Sequence, residues 1–385
     1  MTGDASAFPF EQLRRFPDVE AENLFAFDAA DRLLLDETAE QRASTPLEQI
    51  VVIGDRYGAL TLAALHDRVG DTGTTGAIRV FQDGLSGQRA LAANAARLGI
   101  DATPIRELPL GESLLNQATL VLLQLPRSLD ALDEIADAVA RYAPQATLVA
   151  GGRIKHLSLG MNDVLLRSFG SVQASRARQK SRLLTATDAR EVSETSLPFP
   201  RITRDAELGI EICAFGAAFA GAKVDPGTRL LLSVIDGAAE ASRIIDLGCG
   251  TGVIATVLAQ RRPTASIIAT DQSAAAVRSA TETVGRAGVG DRVTVLRDDG
   301  LDSQPAESAD LIVLNPPFHM GATVHVGIAH KLFEHAARVL RPGGELWVVY
   351  NSHLGYRPTL ERLIGPTKQV ARDRVFTVTS SVRAR

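Results

Sequence analysis

Three short segments in the second half of this chain carry the residue types that do chemistry. Asp246-Leu247-Gly248-Cys249-Gly250-Thr251-Gly252 closes an apolar run, RIIDLG (243–248), and opens a stretch with helical spacing. Glycines at 248, 250 and 252 let a backbone turn tightly and approach a ligand closely. A dinucleotide fingerprint would put glycine at 253, where Val253 stands, so a pyrophosphate cradle is disfavoured. Asp271 ends the next apolar run, SIIATD (266–271), and a carboxylate there suits a bidentate bond to two ribose hydroxyls. Asn315-Pro316-Pro317-Phe318 follows DLIVL (310–314). A strand that meets two prolines stops, because proline lacks a donor and restricts the residue before it. The stiff turn fixes the Asn315 amide and the Pro316 carbonyl, two acceptors for a planar amine, and Phe318 offers a face on which a base can stack. Loop, strand-end acid and turn together point to a ribose-bearing cofactor facing an exocyclic NH₂ group.

Parallel strands must hold these segments. Further β-rich runs are IVVIG (50–54), IRVF (78–81), TLVLLQL (119–125), ATLVAGG (146–152), VTVLRDD (293–299), ELWVVY (345–350) and VFTVTSS (375–381). Helical spacing lies between many of them, as in 273–288 and 328–340, and RPGG (341–344) reads as a helix stop ahead of a strand. The alternation predicts α/β architecture with parallel sheets. The pattern occurs twice. IVVIGDRYGALTLAAL (50–65) resembles RIIDLGCGTGVIATVL (243–258), with Gly54 on Gly248, Gly58 on Gly252, Arg56 on Gly250 and Val52 on Asp246. Two domains follow, 1–195 and 205–385, with the junction in 193–205, where two prolines sit and no periodicity is evident.

Composition fits this reading. The chain has 385 residues, 45% of them apolar and 22% charged, enough for sizeable cores without staples. Two cysteines, Cys213 and Cys249, exclude a disulfide framework or a four-cysteine zinc site. His319, His325 and His330 match no zinc spacing, so no metal is expected. The absence of a secretory pattern or a bilayer-length apolar run predicts a cytoplasmic protein without membrane association, and a monomer is expected. The net charge of −4 is unevenly spread: residues 1–50 carry eleven acids and four bases, residues 153–182 seven bases and one acid. The basic stretch is either a solvated helix face near the junction or a surface for phosphates.

On DLGCGTG and NPPF, residues 205–385 resemble a class I S-adenosylmethionine-dependent methyltransferase of the branch that modifies exocyclic or amide nitrogens. With FAGAKVDPGTRLLL (219–232), NPPFH (315–319), RPGGELWVV (341–349) and NSHLGYRPTLERLIG (351–365), the chain is similar to bacterial ribosomal RNA guanine-N2 methyltransferases. The N-terminal half resembles the large-subunit (23S) family through RRFP (14–17), FAFDAADRLLL (25–35), DRYGAL (55–60) and QKSRLL (179–184), and HLGY (353–356) with its tail favours that family over the small-subunit (16S) one. The resemblance implies two tandem Rossmann-like domains, the first degenerate, with S-adenosylmethionine as cofactor and ribosomal RNA as partner. It implies that Asp246, Gly248, Cys249 and Gly250 hold the methionine part, Asp271 the ribose, and Gln272, Asp298 and Asp299 the adenine side, with Asn315 also among the cofactor contacts. Asp225, Gly227 and Thr228 would lie in a loop over the cofactor. Asn315, Pro316, Pro317 and Phe318 would hold the target guanine, with His319 at its edge. The second reading is the small-subunit enzyme. A third, from a different class, is a non-catalytic RNA-binding assembly factor.

In the first half the chemistry has been replaced. Val52 takes the place of the loop acid, Arg56 that of the middle glycine, Gln82 falls near the ribose acid, and Gln124-Leu125-Pro126-Arg127 replaces Asn-Pro-Pro-Phe. An arginine in the loop would obstruct the cofactor and repel its sulfonium. This half is expected to bind no cofactor and to position RNA, with Arg176, Arg178 and Lys180 on phosphates.

Overall fold

The computed structural model describes residues 8–68, 76–191, 197–316 and 322–384. Two compact units divide between Pro198 and Phe199.

The first unit holds one sheet of strands β1 (Ile50–Ile53), β2 (Ile78–Phe81), β3 (Ile105–Glu107), β4 (Leu120–Gln124), β5 (Thr147–Arg153), β6 (Phe169–Ala174) and β7 (Ser181–Ala189), ordered β3-β2-β1-β4-β5-β7-β6. Pairing is parallel as far as β5 and antiparallel across β5/β7/β6. The second unit opens with the hairpin β8 (Arg201–Asp205) and β9 (Ile210–Ala214). Its main sheet has β10 (Arg243–Leu247), β11 (Ser266–Asp271), β12 (Val293–Arg297), β13 (Ala309–Leu314), β14 (Leu340–Asn351), β15 (Thr367–Arg372) and β16 (Phe376–Val382). The order β12-β11-β10-β13-β14-β16-β15 repeats that of the first sheet strand for strand. Between β10 and β13 the strand order reverses, which opens a crevice at the carboxyl ends of the strands.

The central strands read as unbroken apolar runs because helices cover both faces. Along β10, Ile244 packs into one core and the next residue, Ile245, into the core on the opposite face, both fully buried. Burying one such side chain contributes about 2 kcal/mol. In the first unit Val52 and its neighbours Val51 and Ile53 divide between two cores in the same way.

Several expectations are corrected. Residues 201–205, read as junction, form a strand of the second unit; four of its five residues are exposed, so no alternation marks it. The basic stretch is not one helix face. Arg153 ends β5, Lys155 lies in the 3-10 turn Ile154–His156, Leu159–Ser168 is helical, and the remaining bases from Arg176 on lie in the hairpin β6–β7 with its tip at 175–180. RPGG does not precede its strand. The helix Ala322–Val339 ends directly into β14, which includes 341–344 through a register shift opposite Ala309 and Leu311, with Gly343 at φ +81°.

Helix Ala274–Arg286 is tied to the hairpin by hydroxyls one turn apart. Ser279 Oγ accepts from Phe215 N at 2.9 Å and Thr283 Oγ1 from Cys213 N at 3.0 Å.

Candidate active site

The loop after β10 starts with Gly248 at φ +71°, continues through Gly250 at +53° and ends with Gly252 at +78°, which caps helix Val253–Arg261. The three glycines have different reasons to be there. A Cβ on Gly252 would sit 2.9 Å from the Ala280 backbone, so this position serves the close approach of a helix. A Cβ on Gly248 or Gly250 would meet no protein atom within 4 Å. Those two face open space, as a backbone that cradles a ligand must. Gly248 N and Cys249 N both donate to Thr270 O, at 2.8 and 2.9 Å, and Asp271 Oδ2 accepts from Gly250 N at 3.0 Å. Asp271 Oδ1 accepts from Ser273 N at 2.9 Å, so this carboxylate joins the loop to the following helix.

Asp246 is fully buried. Its Oδ2 accepts from Ala255 N at 2.9 Å, and its Oδ1 has no partner. Burial pushes its carboxyl up to about 7, and the nearby Asp271 charge adds to the shift. A buried, unpaired carboxylate oxygen is costly unless a cation reaches it. Burial also holds the Cys249 thiol well above its ordinary range, helped by Asp271 and Asp246, so this cysteine is no nucleophile.

Asn315 follows β13 directly. Since Leu247 and Leu314 pair, Asn315 and Gly248 leave the sheet side by side. The Asn315 amide nitrogen donates to Asp225 Oδ2 at 3.0 Å and to Thr228 Oγ1 at 2.9 Å. A carboxylate can only accept, which fixes the orientation of the amide. Asn315 Oδ1 is buried and unpartnered. Asp225 also caps helix Pro226–Val234, accepting from Thr228 N at 3.1 Å. Asp225 and Thr228 therefore orient Asn315. Their types and spacing say nothing of this, because the partner lies 87 to 90 residues away. Pro316 is buried next to Asn315, whereas Pro317, Phe318 and His319 lie outside the described residues. Replacing Thr228 by valine keeps the shape but removes one anchor; turnover should fall about tenfold with little change in Tm, measured by single-turnover kinetics and a thermal melt.

Asp298 Oδ2 accepts from Ser303 N at 3.0 Å and from Ser303 Oγ at 2.8 Å. Asp299 pairs with Lys331 at 2.7 Å, a partner that no motif marks. The Gln272 carbonyl accepts from Arg297 at 3.2 Å. No cluster of three or more metal-ligating side chains occurs among the described residues, and no helix among them is long and apolar enough to cross a membrane.

In the first unit Gly54 and Gly58 keep left-handed conformations like Gly248 and Gly252, so the loop backbone survives. Its chemistry does not. Gln82 donates its amide to the Asp55 carbonyl, and a Cβ on Gly87 would meet the Arg56 carbonyl at 2.9 Å and Gln82 Oε1 at 3.1 Å. Of the basic residues singled out at the hairpin tip, all are exposed, but Arg178 is ion-paired with Asp36 and stands 3.9 Å from Glu37. Part of the positive stretch thus answers the acidic N-terminal segment.

The sheet order, the open glycine loop and the strand-end acids define a class I methyltransferase fold with a degenerate first copy. Residues 209–380 match the Methyltransferase small domain family, and residues 4–190 the RLMG N-terminal domain family. The chain belongs to the ribosomal RNA large subunit methyltransferase G family. It is 37% identical to the protein of that name from Pseudomonas aeruginosa strain UCBPP-PA14, over 97% of this chain and 98% of the relative. It is 34% identical to that of Streptomyces avermitilis, over 96% of each. The T. thermophilus 16S rRNA N2 G1207 methyltransferase, solved with AdoMet and guanosine, shares the fold at a TM-score of 0.69 and 21% identity, over 92% of both chains.

Proposed function

We propose that this protein transfers a methyl group from S-adenosylmethionine to the exocyclic N2 amine of a guanine in large-subunit ribosomal RNA. The observation that carries this reading is Asn315: its amide nitrogen is locked and its oxygen is buried and unpaired, beside a loop whose glycines face open space. The residues fit the cofactor. Asp246 Oδ1 would take the ammonium of the methionine part, with the Gly248–Gly250 backbone and Cys249 alongside. Asp271 would take the ribose hydroxyls, and Gln272, Asp298 and Asp299 would flank the adenine. When bound, S-adenosylmethionine supplies an electrophilic methyl group.

The chain must align a poor nucleophile, since the amine lone pair of guanine is delocalised into the ring. Asn315 Oδ1 and the Pro316 carbonyl would accept its two hydrogens and fix its direction. The same oxygens would stabilise positive charge growing on the nitrogen, and being already oriented they need no reorganisation. Phe318 would stack on a base exposed in a loop or flipped from a helix, with Pro317 and His319 at its edges. Radiolabelled methyl transfer to ribosomal RNA, naked and in each subunit, followed by nucleoside mapping, tests the reading. N2-methylguanosine in large-subunit RNA is expected; label confined to small-subunit RNA would move the assignment to the second reading.

In the same reading the first unit positions RNA through its hairpin tip. Arg176 and Lys180 are exposed there, and among the described residues neither forms an ion pair. Reversing both charges should weaken RNA binding about tenfold and lower the slope of log K against log salt by about 1.4. Filter binding across a salt series measures both quantities.

A further inference from the structure

The first unit has a cavity of about 190 Å³ at the carboxyl ends of its strands, lined by Gln124, Arg127, Arg153, Lys155, His156 and Arg56. It lies at the reversal point of the sheet, where β1 and β4 end. Arg56, Arg127, Arg153 and Lys155 converge on it, and among the described residues no ion-pair partner faces any of them. Arg153 Nε is buried without a hydrogen bond. The one acid in the lining, Asp28, accepts from Ala30 N at 2.7 Å through Oδ1 as a helix cap, so formal positive charge remains in excess there. Partial burial, then Arg127, Lys155 and Arg56, holds the His156 imidazole below its ordinary value. Guanidinium groups in excess over the one carboxylate of a crevice match the oxygens of a phosphate.

A second observation adds a base or ribose to that phosphate. Gln124 ends β4 as Asn315 follows β13, and it is held in a similar way. Its Nε2 donates to Asp31 Oδ1 at 2.6 Å, and its Oε1 is buried and unpartnered. Asp31 stands three residues after the helix cap Asp28, as Thr228 stands three after the cap Asp225, and both pairs lead into Arg-Leu-Leu-Leu. The degenerate unit has lost the cofactor loop chemistry but kept the device that presents an amide oxygen to a donor.

We infer that this crevice is a non-catalytic nucleotide pocket, with the arginines and Lys155 on a phosphate and Gln124 Oε1 on an N–H or O–H of the same ribonucleotide. It deepens, and rests on, the reading that the first unit serves RNA binding, and its occupant is a nucleotide within an RNA chain or a free one.

Equilibrium dialysis of guanosine 5′-monophosphate against the full chain carrying Asn315→Ala, which disables the amine-binding group of the second unit, tests it. One molecule per chain is expected, with unphosphorylated guanosine at least about tenfold weaker. Adding Arg127→Glu, at an exposed position, or Gln124→Leu should lower the affinity at least about tenfold each. Equal binding of nucleoside and nucleotide, or affinity untouched by either substitution, overturns the inference. A short oligoribonucleotide that competes more tightly than the monophosphate identifies the RNA chain as occupant; the reverse identifies a free nucleotide. If charge reversal at Arg176 and Lys180 weakens RNA binding while Arg127→Glu and Gln124→Leu change nothing, the RNA-positioning reading stands and the pocket falls.

Discussion

Replacing Asn315 by alanine should lower turnover by at least about two orders of magnitude, since in the proposed reading it removes the preorganised acceptor of the reacting amine. Cofactor affinity should change less than about threefold, because the Asp246 and Asp271 contacts would remain. The split between the two quantities carries the meaning. Calorimetric titration of S-adenosylhomocysteine into the variant, beside single-turnover methylation, reads both. Loss of cofactor binding in step with turnover would show that Asn315 holds the cofactor rather than the target.

The second large effect concerns Asp246 and pH. Its carboxyl titrates at about 7 in the unliganded protein. An ammonium group binds the ionised form, so each proton that must leave is linked to binding. Affinity for S-adenosylhomocysteine should therefore fall as pH drops through that value, approaching tenfold per pH unit well below it, and level off above about pH 8. Asp246→Asn should remove this slope and weaken binding at the plateau by at least about thirtyfold, as expected for truncating a buried charge pair. Calorimetry between about pH 5.5 and 8.5 on both proteins would show it. A flat wild-type profile would mean that Asp246 faces no cation.

Both residues stood out in the sequence because their signals are local: an acid within a strand two residues before a glycine loop, and an amide ahead of prolines that end a strand. What escaped is what depends on partners far along the chain. Asp225 and Thr228, expected in a loop over the cofactor, instead cap and begin the helix Pro226–Val234 and grip Asn315 from 87 to 90 residues upstream. The central strands were readable because burial on both faces leaves an unbroken apolar run. The edge strands Ile105–Glu107 and Arg201–Asp205 were not, since exposure removes the pattern. Thr367–Arg372 escaped for the same reason. The chemistry at 56, 82 and 124–127 was readable as loss. That Gln124 is held as Asn315 is held became visible only in three dimensions.

The pairing of Ser279 with Phe215 N and of Thr283 with Cys213 N has one more implication. Two side chains spaced by a helical turn stand in for the neighbouring strand that β9 would otherwise seek. On that flank the hairpin offers these amides to no passing peptide, so a partner that recruits by β-augmentation finds its ladder closed there.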